Sequence, residues 1–203
     1  MGEGTIKYCG NPRLEAGRII LRKLEISDAQ DIFEYARHPD VARFVTWDPH
    51  TSVADAESFI SWTLERYEKD EAGEWGIELK ETGKIIGTIG FVEYDARNFS
   101  GTIGYALSKE YWGKGIMTEA VKRVIKFAFE DMKLNRVEAV HVPENEGSGR
   151  VMQKAGMVYE GFLRQRMFAK GRFWDLKQYS IVKDDILSFD AQNASNCECA
   201  MEH

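Results

Sequence analysis

A glycine-bearing turn between a strand and an amphipathic helix is the feature that most limits how this chain can fold. Residues 101–107 have the pattern of a strand, residues 111–115 form a turn, and apolar residues recur at helical spacing through residues 116–132. Gly113 and Gly115 remove two Cβ atoms where a ligand's phosphates could approach closely. The first turn of a helix also has unpaired N–H groups and a partial positive charge, so this stretch predicts a phosphate or pyrophosphate site.

The motif by itself does not identify a class of nucleotide-binding protein. A Walker loop needs Gly-Lys-Ser/Thr after four spacer residues, and residues 112–116 do not supply it. A dinucleotide fingerprint needs a third glycine at the position of Thr118. A strand, glycine turn and helix are also common as a simple tight connection, so the rest of the chain has to support a ligand.

Composition and charge limit the class of protein. The chain has 203 residues, of which 43% are hydrophobic and 12% aromatic, and this suits one globular domain with a sizeable core. The net charge of −6 argues against a nucleic-acid partner. No apolar run reaches membrane-spanning length, and the first residues begin no signal peptide, so we expect a cytoplasmic protein without a membrane partner.

Three cysteines lie near the ends of the chain, at Cys9, Cys197 and Cys199. The last two are too closely spaced for a Cys-x-x-Cys pair, and no set of His and Cys partners accompanies them. We therefore expect reduced thiols and no bound metal.

The elements before the glycine turn indicate an antiparallel meander. They are a strand at 18–24, a helix beginning at Ser27 and ending at Pro39, a loop or short helix at 41–50, a helix beginning at Ser52, and strands at 75–80 and 84–92. Ser27 with Gln30, and Ser52 with Asp55, have the spacing of capping boxes. Successive hairpins of this kind weigh against a Rossmann domain.

The elements after the helix add a parallel strand. Residues 136–142 follow a crossover helix, so they are expected to pair parallel to residues 101–107. A short helix at 149–155 ends at Gly156, and a closing hairpin joins strands at 158–169 and 173–182. The sequence shows no internal repeat and no linker that would divide it.

The order and spacing of these motifs resemble the GCN5-related N-acetyltransferases (GNAT). The motifs are Tyr-Trp-Gly-Lys-Gly-Ile-Met-Thr-Glu-Ala at 111–120, Pro-Glu-Asn-Glu-Gly-Ser at 143–148 and Gln-Lys-Ala-Gly-Met at 153–157. The resemblance covers residues 18–183 and looks closest to the branch of ribosomal-protein N-terminal and spermidine acetyltransferases. It implies an α+β fold, in which helices flank a single mixed, mostly antiparallel twisted sheet and a splayed parallel strand pair holds coenzyme A.

The resemblance also implies a division of the chain and a set of cofactor contacts. An N-terminal extension (1–17) and a polar tail (189–203) flank an acetyltransferase domain (18–188). In the family a Q/R-x-x-G-x-G/A loop binds the coenzyme A pyrophosphate through backbone N–H groups. Here Gly115 matches, whereas Trp112 and Met117 depart from the consensus. The implied acetyl-CoA contacts are Ala106, Leu107, Ser108, Trp112, Gly113, Lys114, Gly115, Ile116, Met117, Thr118, Asn145 and Ser148.

Two of these residues are the implied catalytic ones. Asn145 matches the position that hydrogen-bonds the pantetheine amides, and Ser148 the position of a hydroxyl near the thioester sulfur. Ser148 is expected to be the general acid for the departing thiolate, with helix N-capping as its structural alternative. A backbone N–H near Leu107 could polarise the acetyl carbonyl.

The general base is the weak point of the resemblance. Many relatives have a glutamate where this chain has Thr102, which leaves Glu93, Asp95, His141, a water wire or an amine that arrives neutral. Trp47, His50 and Glu93 are expected on the acceptor side, although Trp47 could equally belong to the core. Phe168 and Trp174 are expected in the core.

The implied activity is direct transfer of an acetyl group from acetyl-CoA to a primary amine. A protein or peptide N-terminus of the ribosomal-protein type is the favoured acceptor, and a polyamine, an amino sugar or an antibiotic stays open. A non-catalytic acyl-CoA sensor is the alternative that Thr102 suggests. A homodimer is compatible with the sequence, but no residue requires one.

Overall fold

The computed structural model describes residue 8 and residues 10–185. The expectations for Cys9, Cys197, Cys199 and the polar tail lie outside the described residues. Within the described chain, no helix is both long and apolar enough to cross a membrane.

One mixed sheet with helices packed on it forms the fold. The strands are β1 (Leu14–Glu15), β2 (Ile19–Arg22), β3 (Glu74–Leu79), β4 (Ile85–Asp95), β5 (Ser100–Leu107), β6 (Arg136–His141), β7 (Val158–Ala169) and β8 (Arg172–Val182). The helices are α1 (Ala29–Ala36), α2 (Pro39–Ala42), α3 (Val53–Glu68), α4 (Ile116–Glu130) and α5 (Glu146–Lys154). The eight strands lie in the order β1-β2-β3-β4-β5-β6-β8-β7.

The parallel pair β5 and β6 separates partway along its length. Strands β1 to β5 pair antiparallel in sequence order, which confirms the predicted meander. Strand β5 then pairs parallel with β6, but only Ser100–Thr102 lie opposite Arg136–Glu138. Strand β6 pairs with β8 on its far side along its whole length, and within the described residues the β5 edge that faces β6 has no strand partner from Ile103 onward. The expected α+β fold with a splayed parallel pair is confirmed.

The two faces of the sheet carry different helices. On one face Ile103 and Leu107 of β5 join the large core cluster that contains the apolar side of α4, with Val121 and Val124 fully buried. On the other face α1 and α3 contribute Ile32 and Ile60 to a second cluster. The apolar sides of these helices therefore face the core, as the periodicity of their sequences predicted.

Two details of the first helices differ from the sequence expectation. The capping box is formed by Glu25 and Asp28 around a single 3-10 turn, and Ser27 with Gln30 is not the cap. Asp28 is held in place because its carboxylate also accepts two hydrogen bonds of 2.8 Å from the Arg22 guanidinium. Pro39 is the first residue of α2 instead of merely ending α1, since a proline suits the first turn of a helix. The Ser52–Asp55 capping box of α3 is confirmed.

Helix α5 begins at Glu146, three residues before the predicted start at Gly149. Asn145 is the reason, because its side-chain oxygen accepts a hydrogen bond from the Ser148 N–H and caps the helix. The C-terminal end is as predicted, with Gly156 at a φ of +92°. The closing hairpin is confirmed; Trp174 is buried as expected, whereas the expectation for Phe168 is wrong, since it is 63% exposed.

Candidate active site

The glycine turn has the left-handed backbone that its sequence requires. Gly113 and Gly115 have φ values of +74° and +78°, and Gly115 is the N-cap of α4. No atom lies within 4 Å of the position that a Cβ on Gly113 would occupy. The turn and the first N–H groups of α4 are therefore open to a ligand that approaches from the cleft beside β5.

A cluster of hydrogen bonds braces this turn from both sides. The Arg18 guanidinium donates to the Lys114 carbonyl oxygen at 3.0 Å, and its Nε donates to Glu119 Oε2 at 3.1 Å. The Arg18 backbone N–H donates to Glu119 Oε1 at 2.6 Å. On the other side, Trp112 Nε1 donates to the Leu107 carbonyl oxygen at 2.8 Å. Sequence reasoning missed Arg18 and Glu119 as supports of the turn because about a hundred residues separate them.

A cleft of about 520 Å³ opens between the end of β5, the glycine turn and the start of α5. This size falls in the usual range for ligand sites. It brings together ten of the twelve predicted cofactor residues: Ala106, Leu107, Trp112, Gly113, Gly115, Ile116, Met117, Thr118, Asn145 and Ser148. Lys114 and Ser108 lie outside the cleft lining, and the Lys114 ammonium is 5.3 Å from the ring centroid of Tyr111.

The backbone of β5 shows which peptide groups face the cleft. The Ser108 N–H donates to the Ile86 carbonyl on the β4 side at 2.8 Å. Since N–H groups alternate between the two edges of a strand, the Leu107 N–H faces the unpaired edge toward the cleft. Leu107 can therefore offer a main-chain donor there, whereas Ser108 cannot.

Two hydroxyl groups meet across the cleft. Tyr105 is on β5 and Ser148 is in the first turn of α5, and their oxygens are 2.9 Å apart. The Tyr105 oxygen is also 3.3 Å from the Ser148 carbonyl oxygen. Because Asn145 caps α5 and Ser148 does not, the N-capping alternative for the Ser148 hydroxyl is removed. Sequence reasoning missed Tyr105, although the alternation of β5 was a usable signal for its direction.

Helix α5 forms a further wall of the cleft, of which sequence reasoning found Ser148 and missed the other residues. Gly147, Ser148, Val151 and Lys154 line the cleft at helical spacing, and Val41 and Val45 close it from the α2 side. The second turn of α5 packs closely on β6, since a Cβ on Gly149 would lie 2.8 Å from Nε2 of His141.

The three predicted acceptor residues do not line this cleft. Trp47 packs against the core cluster of α1 and α3, with its ring 5.6 Å from that of His50. Burial lowers the pKa of His50, and its Nδ1 has no hydrogen-bond partner within the described part of the chain. Glu93 is exposed on β4, and its Cα is the cross-strand partner of Thr102.

The other candidate bases are engaged elsewhere. The Asp95 carboxylate accepts hydrogen bonds from the Asn98 and Arg97 N–H groups, and these hold its pKa below the usual range. His141 is buried beneath α5, and burial lowers its pKa. Neither group is therefore arranged to take a proton inside the cleft.

Comparison with known proteins gives a consistent family match. The model of the acetyltransferase (GNAT) domain matches residues 18–158. The N-acetyltransferase p20 of Bacillus licheniformis is 36% identical over 166 residues, covering 82% of this chain and 93% of the relative. The [ribosomal protein uS5]-alanine N-acetyltransferase of Escherichia coli is 23% identical over 170 residues, covering 80% and 87%. The solved structure of the microcin C7 self-immunity acetyltransferase MccE in complex with acetyl-CoA and AMP superposes with a TM-score of 0.73 at 25% identity, covering 81% and 92%.

Proposed function

The chain belongs to the GNAT acetyltransferase family and is an acetyl-CoA-dependent N-acetyltransferase, and we propose that its acceptor is the α-amino group of a protein or peptide N-terminus. The family assignment as an acyltransferase removes the sensor alternative. The observation that carries the acceptor proposal is Thr102, because it stands where a carboxylate base would otherwise be expected.

Acetyl-CoA is proposed to occupy the cleft beside β5. Its pyrophosphate would bind the N–H groups of the glycine turn and of the first turn of α4. The left-handed backbone and missing Cβ atoms of Gly113 and Gly115 allow close approach there. The pantetheine arm would lie along the unpaired edge of β5, with the Leu107 N–H as one donor. Asn145 uses its side-chain oxygen as the helix cap, which leaves its amide NH₂ group for a pantetheine carbonyl.

The reaction then needs attack of a neutral amine on the thioester carbonyl and departure of the thiolate. The C–N bond forms, the C–S bond breaks, and the proton lost by the amine nitrogen balances the one gained by sulfur. Ser148 is proposed to donate its hydroxyl hydrogen to the departing sulfur, and the proton released by the amine nitrogen then restores the Ser148 hydroxyl through water. The first turn of α5 assists because the N-terminal end of a helix favours developing negative charge.

Thr102 bears on the acceptor because a threonine hydroxyl does not accept a proton from an ammonium group at neutral pH. The amine must arrive neutral or lose its proton to water. An α-amino group has a pKa of about 7.7–8.0, so roughly a quarter to two fifths of it is neutral at pH 7.5. A lysine-type amine has a pKa of about 10.4, and only about 0.1% is neutral at that pH. If neither Glu144 nor Glu146, the two glutamates in the cleft lining, takes this proton, the site favours α-amino acceptors over aliphatic amines.

Two further observations support a protein acceptor. The uS5-alanine enzyme, by its name, acts on the N-terminal residue of a ribosomal protein. The net charge of −6 on this chain would attract a basic polypeptide such as a ribosomal protein.

The test is release of coenzyme A from acetyl-CoA with a matched set of acceptors. The set contains a basic peptide with a free N-terminus and one internal lysine, the same peptide with a formylated N-terminus, and spermidine. Turnover with the free peptide alone, with mass spectrometry placing the acetyl group on the α-nitrogen, is the expected result. Turnover with the formylated peptide or with spermidine at a comparable rate would contradict the α-amino proposal.

A further inference from the structure

Tyr105 is the β5 residue that reaches across the gap left by the separated strands. It lies three residues beyond Thr102, the last β5 residue paired with β6. Its ring packs against the core cluster of α4, and its hydroxyl meets Ser148 on α5. One hydrogen bond thus joins the two walls of the cleft, beside the group proposed to donate to the leaving sulfur.

Either hydroxyl can be the donor of this hydrogen bond. The Tyr105 oxygen is 2.9 Å from Ser148 Oγ and 3.3 Å from the Ser148 carbonyl oxygen. A carbonyl oxygen only accepts, so the Tyr105 O–H is the donor of that longer contact. If the phenol proton is shared between the two Ser148 oxygens, the serine's own hydrogen is available for another acceptor; if the phenol donates to the carbonyl oxygen alone, the serine hydroxyl is the donor to Tyr105.

Deprotonation of Tyr105 would reverse this arrangement, because a phenolate could only accept. Burial raises the pKa of Tyr105 above its ordinary value, with the hydrogen bond to Ser148 opposing the shift. The phenol therefore keeps its proton through the neutral pH range.

We propose that Tyr105 is a positioning residue for the acetyl transfer, donating to Ser148 Oγ and so turning the hydrogen of that hydroxyl toward the thioester sulfur. This rests on the proposed role of Ser148. When the C–S bond breaks, its electron pair stays on sulfur, the Ser148 hydrogen is directed to that pair, and Tyr105 keeps its own proton. Because linked hydrogen bonds polarise one another, the Tyr105 bond also makes Ser148 a stronger donor.

The test is a double-mutant cycle with Tyr105→Phe and Ser148→Ala, measured as kcat and KM for acetyl-CoA. Tyr105→Phe keeps the ring and removes one hydrogen bond, so kcat should fall about 3- to 10-fold while KM stays within about twofold. In the Ser148→Ala background the same change should have no further effect on kcat, since there is no hydroxyl left to orient. A pH profile of unchanged shape should accompany the loss.

The matched control is Tyr179→Phe. The Tyr179 hydroxyl also bonds to α5, accepting from Gln153 Nε2 at 3.2 Å, but it lies outside the cleft lining. Tyr179→Phe should lower the melting temperature, and its effect on kcat should be the same with and without Ser148→Ala. If the role of Tyr105 is merely structural, Tyr105→Phe should behave as this control does. Its effect on kcat should then be equal in the wild-type and Ser148→Ala backgrounds.

The outcomes separate the two proposals. If Ser148→Ala leaves kcat unchanged, the role of Ser148 fails and the Tyr105 proposal fails with it. If Ser148→Ala lowers kcat and Tyr105→Phe does not, only the Tyr105 proposal is overturned. A Tyr105→Phe loss that persists in the Ser148→Ala background, or one confined to KM, overturns it as well.

Discussion

The Arg18 guanidinium donates a 3.0 Å hydrogen bond to the carbonyl oxygen of Lys114 and thereby connects the start of the first long strand to the glycine turn. The same side chain is paired with Glu119 in the first turn of α4. The shape of the turn is therefore maintained by a residue that does not line the cleft.

Arg18→Gln should raise KM for acetyl-CoA about 3- to 10-fold with little change in kcat, because it removes a hydrogen bond that holds the turn before the ligand binds. Steady-state kinetics with varied acetyl-CoA measures this. Arg13→Gln is the control, since the side-chain contact of Arg13 among residues 8 and 10–185 is an exposed ion pair of 3.8 Å with Glu15. Equal KM values for the two variants would show that Arg18 does not brace the turn.

Gly115→Ala and Gly83→Ala form a second matched pair. Both glycines have a φ near +70° to +78°, so each alanine should cost about 1–2 kcal/mol of stability. Only Gly115 lies in the cleft, so only its variant should also weaken coenzyme A binding, by about tenfold or more, and Gly115→Val should weaken it further. Isothermal titration and urea unfolding measure the two effects. Unchanged coenzyme A affinity in Gly115→Val would mean that the phosphates bind elsewhere.

The pH dependence should report the acceptor's own pKa. With an α-amino acceptor, kcat/KM should rise with pH and level off above a pKa of about 7.7–8.0, since the neutral amine is the reactive form. Changing the N-terminal residue to one with a lower amine pKa should move the inflection by the same amount. An inflection that stays near pH 6–7 for every peptide would instead reveal a base on the protein.

Stability should decrease in mild acid because of His141. Burial lowers its pKa in the folded state, so the unfolded chain binds more protons as the pH falls below about 6.5. The stabilising contribution is complete above that pH and is lost as the pH falls toward the folded-state pKa; Lys177 contributes to the same lowering. His141→Gln should flatten the free energy of unfolding between pH 7 and pH 5, measured in urea.

His50 needs its own variant in that experiment, because burial lowers its pKa as well. His50→Gln should flatten part of the same slope, and the exposed His38→Gln is the control. A slope that survives in the double variant His50→Gln/His141→Gln would assign the acid sensitivity to other groups.

Much of the fold was predictable because it depends on local patterns of residues in the sequence. Helix α4, its glycine turn and the strands on either side follow from periodicity, and the crossover helix sets the parallel direction of β6. The Ser52–Asp55 cap was also readable. The Ser27–Gln30 cap was not correct. Asp28 forms the cap instead, and its carboxylate accepts hydrogen bonds from the Arg22 guanidinium on β2. The spacing of residues within the helix does not indicate this contact.

What the sequence by itself determined is the family, the order of the elements and half of the cleft's lining, since those depend on residues close together in the chain. The tertiary structure alone decided that Tyr105 meets Ser148, that Arg18 braces Lys114, and that Trp47 and Glu93 lie away from the cleft. These relationships depend on where β5 and β6 separate and on which side of each strand a residue falls. Register and packing set both, and they are properties of the assembled sheet rather than of any one segment.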